Sequence, residues 1–309
     1  MQIYATPENR EPINAVCHDV VTRDRTHIRA MTSIPENAHG TIVILNGRAD
    51  FMERYFETMN DMAKRGFASA SFDWRGQGGS QRLLSNPLRG FVKSFAQYDD
   101  DLASVMEQVV LKNCPKPYYA LAHSTGGHIL LRNLRAKKWF TRAVCSSPLL
   151  GFHFGRWPIV VVRLLTLATK LTGFSWLYLF GVQSRPTLRA DFPHNILSSD
   201  KNRWNRDIST MEAHPNLVVG GPTFGWLRAG MNSLDKLRRW PRNKGPTCPT
   251  LIVMAGEDRV VHNFDTRNFA ARAPGFSLTI IEGSRHEILM EVDSIRERFL
   301  AAFDAFIVA

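Results

Sequence analysis

Residues 121–128 read Leu-Ala-His-Ser-Thr-Gly-Gly-His, and they lie between an apolar, strand-like run and a helical pattern. A serine in a sharp strand-to-helix turn is held in a strained conformation. Small residues must stand two positions before and two positions after it, so that strand and helix can approach each other. Ala122 and Gly126 meet this requirement, with alanine in place of the usual first glycine. The segment therefore predicts a nucleophile elbow with Ser124 as the nucleophile.

Short apolar runs alternate with helical patterns on both sides of this elbow. The runs bounded by turn residues, as buried parallel strands are, cover 41–45, 68–72, 118–122, 142–145, 251–254 and 278–281. Helical periodicity covers 53–65, 96–112, 125–137, 264–272 and 294–307. Residues 16–22 and 26–32 are suited to an antiparallel pair of strands. The pattern predicts an α/β fold built on a mostly parallel, doubly wound sheet.

Residues 150–245 interrupt this alternation, and we predict that they form an inserted helical cap, or lid. The catalytic core is then formed by residues 1–149 and 246–309. The cap carries 14 Lys and Arg against 5 Asp and Glu, whereas the whole chain has 39 against 28. A basic block beside apolar sequence is typical of contact with an anionic surface, either nucleic acid or phospholipid, and a solvated charged face is the alternative.

The cap opens with an apolar run from Trp157 to Leu171. Arg163 and Lys170 would each cost about 2.5 to 3.5 kcal/mol near the centre of a bilayer, which argues against a membrane span. Their seven-residue spacing puts both on one helical face with Thr166 between them. The run therefore predicts an amphipathic helix that lies at an interface or over an apolar pocket.

The composition excludes several classes of protein. With 309 residues, 44% of them hydrophobic and 22% charged, the chain is neither disordered nor a collagen or coiled coil. The four cysteines are widely spaced and form no C-x-x-C pair, which argues against a zinc site or a disulfide framework. Cys145 and Cys248 adjoin apolar runs and are expected to be buried. The first residues have neither a basic nor an apolar leader region, which predicts a cytoplasmic protein.

A nucleophilic serine needs an imidazole to accept its proton and a carboxylate to orient that imidazole. Met254-Ala-Gly-Glu-Asp258 follows one predicted strand, and Glu282-Gly-Ser-Arg-His286 follows the next. Both segments reach the carboxyl edge of the sheet, where open α/β sheets bind their ligands. We predict Asp258 as the acid and His286 as the base, with Glu257 as the alternative acid. The chain order Ser, Asp, His is that of the hydrolases.

Attack on an ester carbonyl creates an oxyanion, which backbone N–H groups stabilise. One is expected from Thr125, directly after the nucleophile. The second is expected from the loop after the first central strand, where we predict the Arg48 N–H with Gly47 as the alternative. The glycine-rich segment 72–80 lacks the spacing of a phosphate-binding loop, so we expect its charged residues, Asp73 and Arg75, to be structural.

Four segments resemble those of the bacterial lysophospholipases in the monoacylglycerol lipase branch of the α/β-hydrolases, which are serine hydrolases. They are Phe-Asp-Trp-Arg-Gly-Gln-Gly-Gly-Ser at 72–80, Ala-His-Ser-Thr-Gly-Gly at 122–127, Val-Gly-Gly-Pro-Thr-Phe-Gly-Trp at 219–226 and His-Glu-Ile-Leu at 286–289. The similarity runs across nearly the whole chain, including the cap, and the cap segment is its most specific part.

This resemblance implies that Ser124, Asp258 and His286 take the nucleophile, acid and base positions. It also implies hydrolysis of the acyl ester of a lysophospholipid or a monoacylglycerol without a metal or a cofactor. The chain departs from the pattern at Asn46, where monoacylglycerol lipases usually have histidine before the glycine. Its cap is also more basic than a neutral lipid requires, which favours a phosphate-bearing substrate or an anionic membrane surface.

Together, these features predict a lysophospholipase that uses acyl-enzyme chemistry on a lipid-like substrate. We expect the cap aromatics Trp176, Phe224 and Trp226 to line the acyl site, and packing within the cap is the alternative for each. We also expect peripheral association with anionic membrane, at the cytoplasmic face of the inner membrane, and no nucleic-acid partner. The alternative functions are monoacylglycerol lipase, general carboxylesterase, serine aminopeptidase, lactonase, and a binding protein with a silent site.

Overall fold

In the computed structural model, which describes residues 1–155, 157–180 and 192–308, eight strands form one sheet. They are β1 (Ala15–Val21), β2 (His27–Ser33), β3 (Thr41–Leu45), β4 (Ala68–Phe72), β5 (Tyr118–His123), β6 (Arg142–Ser146), β7 (Thr250–Ala255) and β8 (Phe276–Ile281). Their order is β1-β2-β4-β3-β5-β6-β7-β8. Strand β2 is antiparallel to both β1 and β4, and all the other pairs are parallel. The predicted mostly parallel sheet and the predicted antiparallel pair are confirmed.

The helices of the described residues are α1 (Phe56–Lys64), α2 (Ala96–Val105), α3 (Leu111–Asn113), α4 (Thr125–Asn133), α5 (Ile159–Leu171), α6 (Lys201–Ala213), α7 (Phe224–Arg238), α8 (Asn263–Ala270) and α9 (Asp293–Val308). A π-helical turn, Met106–Val110, joins α2 to α3, so the helix predicted over 96–112 is interrupted. Helix α4 ends four residues earlier than predicted. The Asn133 side chain donates to the carbonyl of Ile129 and to Asp99, which competes with helix continuation.

The core lies on both faces of the sheet because successive strand residues point to opposite sides. From β3, Val43 and Leu45 belong to one apolar cluster, which includes residues of α2 and α4. Ile42 and Ile44 belong to the other, which includes residues of α1 and α9. Cys145 and Cys248 are buried, as expected, and all four cysteines are free thiols. Within the described residues, no helix has both the length and the apolarity required to span a bilayer.

The predicted cap enters the chain between β6 and β7 and contributes α5, α6 and α7. Its residues 156 and 181–191 lie outside the described residues, and the division of the chain at 150 and 245 stays a prediction. Two arginines of α6 pair with carboxylates of the core: Arg203 lies 2.5 Å from Glu57 and 2.7 Å from Asp293, and Arg206 lies 2.6 Å from Glu57. Part of the cap's basic excess therefore holds the cap to the core.

Helix α5 buries Thr166 and pairs Arg163 with the neighbouring helix, while most of its aliphatic side chains point outward. Arg163 pairs with Asp235 of α7 at 2.8 Å, and Thr166 is buried. In contrast, Val160, Leu164 and Leu171 are 62, 61 and 77% exposed. The predicted amphipathic helix is present, and its apolar face is open to the surroundings.

Candidate active site

Strand β5 and helix α4 meet at Ser124, whose backbone has φ 50° and ψ −113°. This left-handed conformation is strained for a residue other than glycine. A Cβ atom on Gly126 would lie 2.3 Å from the carbonyl oxygen of Leu45 and 2.6 Å from that of Asn46. Only glycine therefore allows α4 to begin this close to the end of β3, and the tight turn predicted from the sequence has this geometry.

The structure brings Ser124, His286 and Asp258 together in one chain of hydrogen bonds, although they lie far apart in sequence. The Nε2 atom of His286 is 3.0 Å from Ser124 Oγ, and Nδ1 is 2.8 Å from Asp258 Oδ2. Because the carboxylate can only accept, the imidazole donates from Nδ1 and leaves Nε2 to accept the serine proton. The arrangement can generate a serine nucleophile.

The Asp258 carboxylate is held in its charged form. Its Oδ1 accepts hydrogen bonds from the backbone N–H groups of Val260 and Val261 at 2.8 and 3.0 Å. Burial raises the pKa of Asp258, but the His286 imidazole and the two N–H donors outweigh that effect and hold this pKa below its usual value. The alternative acid, Glu257, has an exposed side chain, and His286 pairs with Asp258 instead.

His123 lies next to the nucleophile, with its ring centre 4.9 Å from that of His286. It is buried in the wall of the cavity at Ser124. Burial and, to a smaller extent, the nearby His286 lower the pKa of His123 to about 4, so this ring is neutral at physiological pH.

Hydrogen bonding distinguishes the two N–H groups predicted for the oxyanion hole, those of Arg48 and Thr125, from the alternative N–H of Gly47. The Gly47 N–H donates to Asp50 Oδ2 at 2.9 Å and is therefore engaged. The N–H groups of Arg48 and Thr125 have no acceptor among the described residues. This leaves them available to a substrate oxyanion. The assignment of Arg48 and Thr125 stays a prediction, and the geometry favours Arg48 over Gly47.

Sequence reasoning missed Gln77, whose side chain braces residues 46–50, the segment that we call the oxyanion loop. Gln77 donates to the carbonyl oxygens of Gly47 and Asp50 at 2.8 and 3.1 Å and accepts from the Ala49 N–H at 3.2 Å. The glycine-rich segment that contains Gln77 therefore supports the oxyanion loop. The charged residues of this segment form buried ion pairs, Asp73 with Arg29 and Arg75 with Asp101.

A buried arginine, Arg54, joins three carboxylates beneath the site. It pairs with Asp50 of the oxyanion loop, with Asp207 of α6 at 2.7 Å, and with Glu287, the neighbour of His286, at 2.6 Å. Burial raises the pKa of Asp50, but Arg54 and other donors outweigh it and lower this pKa overall. The network connects the oxyanion loop, the cap and the segment after β8 that carries His286. The sequence offered no signal for it because its members are 4 to 233 positions apart.

A cavity of about 330 Å³ opens onto Ser124 and His286. Its walls are largely apolar, and the cap and the core both contribute to them: Leu149, Phe152, Ile196, Leu197, Met211, Val218, Val219, Pro222, Trp226, Val260 and Val261. The volume falls in the range of sites for small organic ligands. Among the described residues, no cluster of three or more His, Cys, Asp or Glu side chains is arranged to hold a metal ion.

Of the three aromatics predicted to line the acyl site, Trp226 lines this cavity. Phe224 does not, because two residues along a helix point to nearly opposite sides. It lines a separate cavity of about 210 Å³ next to α5. Trp176 lies against the Arg89 guanidinium, 4.3 Å from its ring centre, and is not part of the wall around Ser124. The prediction for Phe224 and Trp176 therefore needs correction.

The chain is similar in sequence to known proteins. The model of the serine aminopeptidase S33 family matches residues 36–293. The probable lysophospholipase L2 of Haemophilus influenzae is 30% identical over 276 residues, which cover 88% of this chain and 85% of that protein. The lysophospholipase L2 of Escherichia coli is 32% identical over 273 residues, which cover 86% of this chain and 79% of that protein.

Solved structures share the fold. A soluble variant of monoglyceride lipase from Saccharomyces cerevisiae, in complex with a substrate analogue, matches with a TM-score of 0.72 at 18% identity and covers 97% of both chains. The monoacylglycerol lipase of Paleococcus ferrophilus matches with a TM-score of 0.69 at 18% identity, over 92% of this chain and 98% of that one.

Proposed function

Because the chain belongs to the serine aminopeptidase S33 family of α/β-hydrolases, we propose that it is a lysophospholipase that uses Ser124, His286 and Asp258. Its relatives place it among the carboxylic ester hydrolases of the lysophospholipase and monoacylglycerol lipase branch. The lysophospholipid substrate and the roles of the three residues are our proposal. The hydrogen-bond chain from Asp258 through His286 to Ser124, which ends in a largely apolar cavity, supports it most directly.

The reaction has two steps. His286 Nε2 takes the Ser124 proton as Oγ attacks the acyl carbonyl, and the N–H groups of Arg48 and Thr125 stabilise the oxyanion. His286 then returns the proton to the leaving glycerol oxygen, which departs as the glycerophospho-alcohol and leaves an acyl-enzyme. In the second step, water loses a proton to His286 and attacks the acyl carbonyl. The Ser124 oxygen leaves and regains that proton, and the fatty acid is released. Asp258 stabilises the imidazolium in both steps.

The test is fatty-acid release from four substrates in parallel: a lysophospholipid, a monoacylglycerol, a diacyl phospholipid and a short-chain ester. We expect the highest kcat/KM for the lysophospholipid. We also expect Ser124→Ala to lose about four to six orders of magnitude on every substrate that turns over. A variant that matches the wild type would show that Ser124 is not the nucleophile.

The same assay separates the alternatives. Preference for the monoacylglycerol would identify a monoacylglycerol lipase, and turnover of the short ester alone would identify a general esterase. In both cases the roles of the three residues would stand and the lysophospholipid would not. Release of an amino acid from a peptide amide, tested in parallel, would favour an aminopeptidase.

We further propose that the protein associates peripherally with anionic membrane through α5 and the segment beside it. The exposed apolar side chains there form a patch: Trp157, Ile159, Val160, Val161, Leu164, Leu167, Leu171, Phe174, Leu177 and Phe180. Exposed apolar patches of this kind mark contact surfaces. Lys170 is exposed on the same helix and forms no ion pair among the described residues, so it is free to meet a lipid phosphate.

Vesicle flotation tests this association. The wild type should float with phosphatidylglycerol vesicles at low salt and less with phosphatidylcholine vesicles. Leu164→Ser should bind the anionic vesicles about fivefold to tenfold more weakly, because it removes an apolar side chain from the patch. Val308→Ser is the matched control, since Val308 is exposed at the end of α9, outside the patch. Equal binding by all three proteins, or none at all, would refute the proposal.

A further inference from the structure

The side chain of Arg48 lines the cavity at Ser124, although only its backbone N–H has a place in the reaction described above. Two arginines line this cavity among the described residues, and they differ in their partners. Arg54 is engaged by three carboxylates. Arg48 has no carboxylate within ion-pair distance among the described residues. Its single protein hydrogen bond runs from Nη1 to the carbonyl oxygen of Gly220, at 3.0 Å.

The surroundings hold this guanidinium in one place. It lies 5.6 Å from the ring centre of Trp226, which also lines the cavity. Gly220, its hydrogen-bond acceptor, donates its own N–H to the carbonyl of Leu88 at 2.8 Å. A Cβ atom on Gly90 would stand 3.0 Å from Arg48 Nη1, so the glycine leaves room for the side chain. The cation is therefore positioned in advance of any ligand.

A cation partly withdrawn from water with no carboxylate at ion-pair distance is unfavourable, so a partner from outside the chain is the natural complement. Burial lowers the pKa of Arg48 to about 10, which still leaves the guanidinium charged at neutral pH. Of its five N–H groups, one is used by Gly220. The planar fork that remains matches the oxygens of a phosphate, with which arginine forms paired, charge-assisted hydrogen bonds.

We propose that the Arg48 guanidinium binds the phosphodiester of the substrate headgroup and thereby selects phosphate-bearing monoacyl esters over monoacylglycerols. This inference rests on the proposed function, since the ester and the phosphate must belong to one substrate. The number of bonds from the Arg48 backbone nitrogen to Cζ equals the number from an acyl carbonyl carbon to the phosphorus of a lysophospholipid. One residue can therefore meet both groups, with its N–H on the oxyanion and its side chain on the phosphate.

The experiment compares two substrates with the same acyl chain, 1-palmitoyl lysophosphatidylethanolamine and 1-palmitoylglycerol, in the same neutral detergent micelles. The measured quantity is the ratio of their kcat/KM values. This ratio cancels any change to the oxyanion hole, because both esters use it. We expect Arg48→Met to lower the ratio at least about tenfold, mainly through the KM of the lysophospholipid. Arg48→Lys, which keeps the charge and loses the fork, should fall between Arg48→Met and the wild type.

Arg82→Met is the matched control. The Arg82 guanidinium is also partly buried, donates to the backbone carbonyls of Asn216 and Val218, and has no carboxylate partner among the described residues. It does not line the cavity at Ser124. We therefore expect its substrate ratio to equal that of the wild type. A ratio unchanged in Arg48→Met, or lowered equally in Arg82→Met, would overturn the proposal.

A second arm separates this inference from the lysophospholipase assignment. Dodecylphosphocholine, a single-chain phosphodiester with no ester to hydrolyse, is tested as a competitive inhibitor of short-chain ester hydrolysis. We expect its inhibition constant to rise about tenfold or more in Arg48→Met. If the wild type does not hydrolyse the lysophospholipid but shows this Arg48-dependent inhibition, the proposed function fails and the phosphate site stands. If the lysophospholipid is hydrolysed and the inhibition constant does not change, the phosphate site fails and the function stands.

Discussion

The close approach of α4 to the end of β3 makes Gly126→Ala a sharp test of how the elbow supports catalysis. The new Cβ atom would stand 2.3 Å from the Leu45 carbonyl oxygen, whereas real Cβ contacts essentially never fall below 3.0 Å. The helix start must therefore move by about 0.7 Å, because a backbone carbonyl cannot rotate aside as a side chain can. Thr125, the neighbour of Gly126, carries one of the two N–H groups that we propose for the oxyanion hole.

A displacement of this size at the reacting centre costs on the order of 100-fold in rate, similar to the loss of one oxyanion donor. We expect kcat for a short-chain chromogenic ester to fall by about this factor in Gly126→Ala. Labelling of Ser124 by a fluorophosphonate should slow in parallel, since it needs the same oxyanion geometry. Thermal unfolding establishes that the variant is folded when both rates are measured.

Gly127→Ala provides the matched control, with the same substitution one residue further along the same helix. Its Cβ atom would lie 2.9 Å from Pro148 Cβ and 3.2 Å from Pro148 Cα, so the same 3.0 Å limit requires a shift of only about 0.1 Å. We expect activity close to that of the wild type. Unchanged kcat in Gly126→Ala would refute the steric argument, and equal losses in the two variants would show that any added side chain in this helix disturbs the site.

Three further predictions follow from the site. Asp258→Asn should lower kcat by about four orders of magnitude, whereas Glu257→Gln, at an exposed position, should stay near wild type; equal losses would contradict the choice of Asp258. Gln77→Leu removes the three hydrogen bonds that brace the oxyanion loop. It should lower kcat about 10- to 100-fold at a similar melting temperature. An unchanged kcat would show that the loop keeps its conformation without Gln77. Burial lowers the pKa of His128 to about 3, and burial with the nearby His286 lowers that of His123 to about 4. Between pH about 4 and about 6.5, each imidazole therefore stays neutral in the folded state, whereas it is protonated in the unfolded state. The stability they contribute is fully present above pH about 6.5 and falls by about 1.4 kcal/mol per pH unit for each histidine down to pH about 4. Urea unfolding across this range should give a shallower pH dependence for His128→Gln, and an identical slope would contradict the assignment.

Local patterns account for the parts of this protein that were predictable. Buried parallel strands are continuous apolar runs between turn residues, so the sequence alone located β3 and β4 to the residue. The elbow was predictable for a similar reason, because its small residues flank Ser124 within a few positions. The loops after β7 and β8 could be matched to it because parallel strands end at one edge of the sheet.

The residues that surround the site could not be predicted, because their positions depend on packing between segments that are distant in sequence. Trp226 and Phe224 were both expected at the acyl site from the sequence, but only the position of α7 in the fold decided which one reaches the cavity. Similarly, helix α5 was predicted as amphipathic, and only the fold decided that Arg163 meets Asp235 of α7 while most of the aliphatic side chains stay exposed.

For the charged residues, too, the sequence showed the composition and only the fold showed the pairing. Composition showed that the chain is basic, but it could not distinguish the arginines that pair with a carboxylate from those that do not. Arg54 meets three carboxylates from separate segments, whereas Arg48 lines the cavity with a single carbonyl as its acceptor. Ion pairing depends on distances of a few ångströms, which only the folded chain sets. The sequence by itself therefore determined the sheet, the elbow and the order of the candidate triad, and the tertiary structure decided which side chains line the cavity at Ser124.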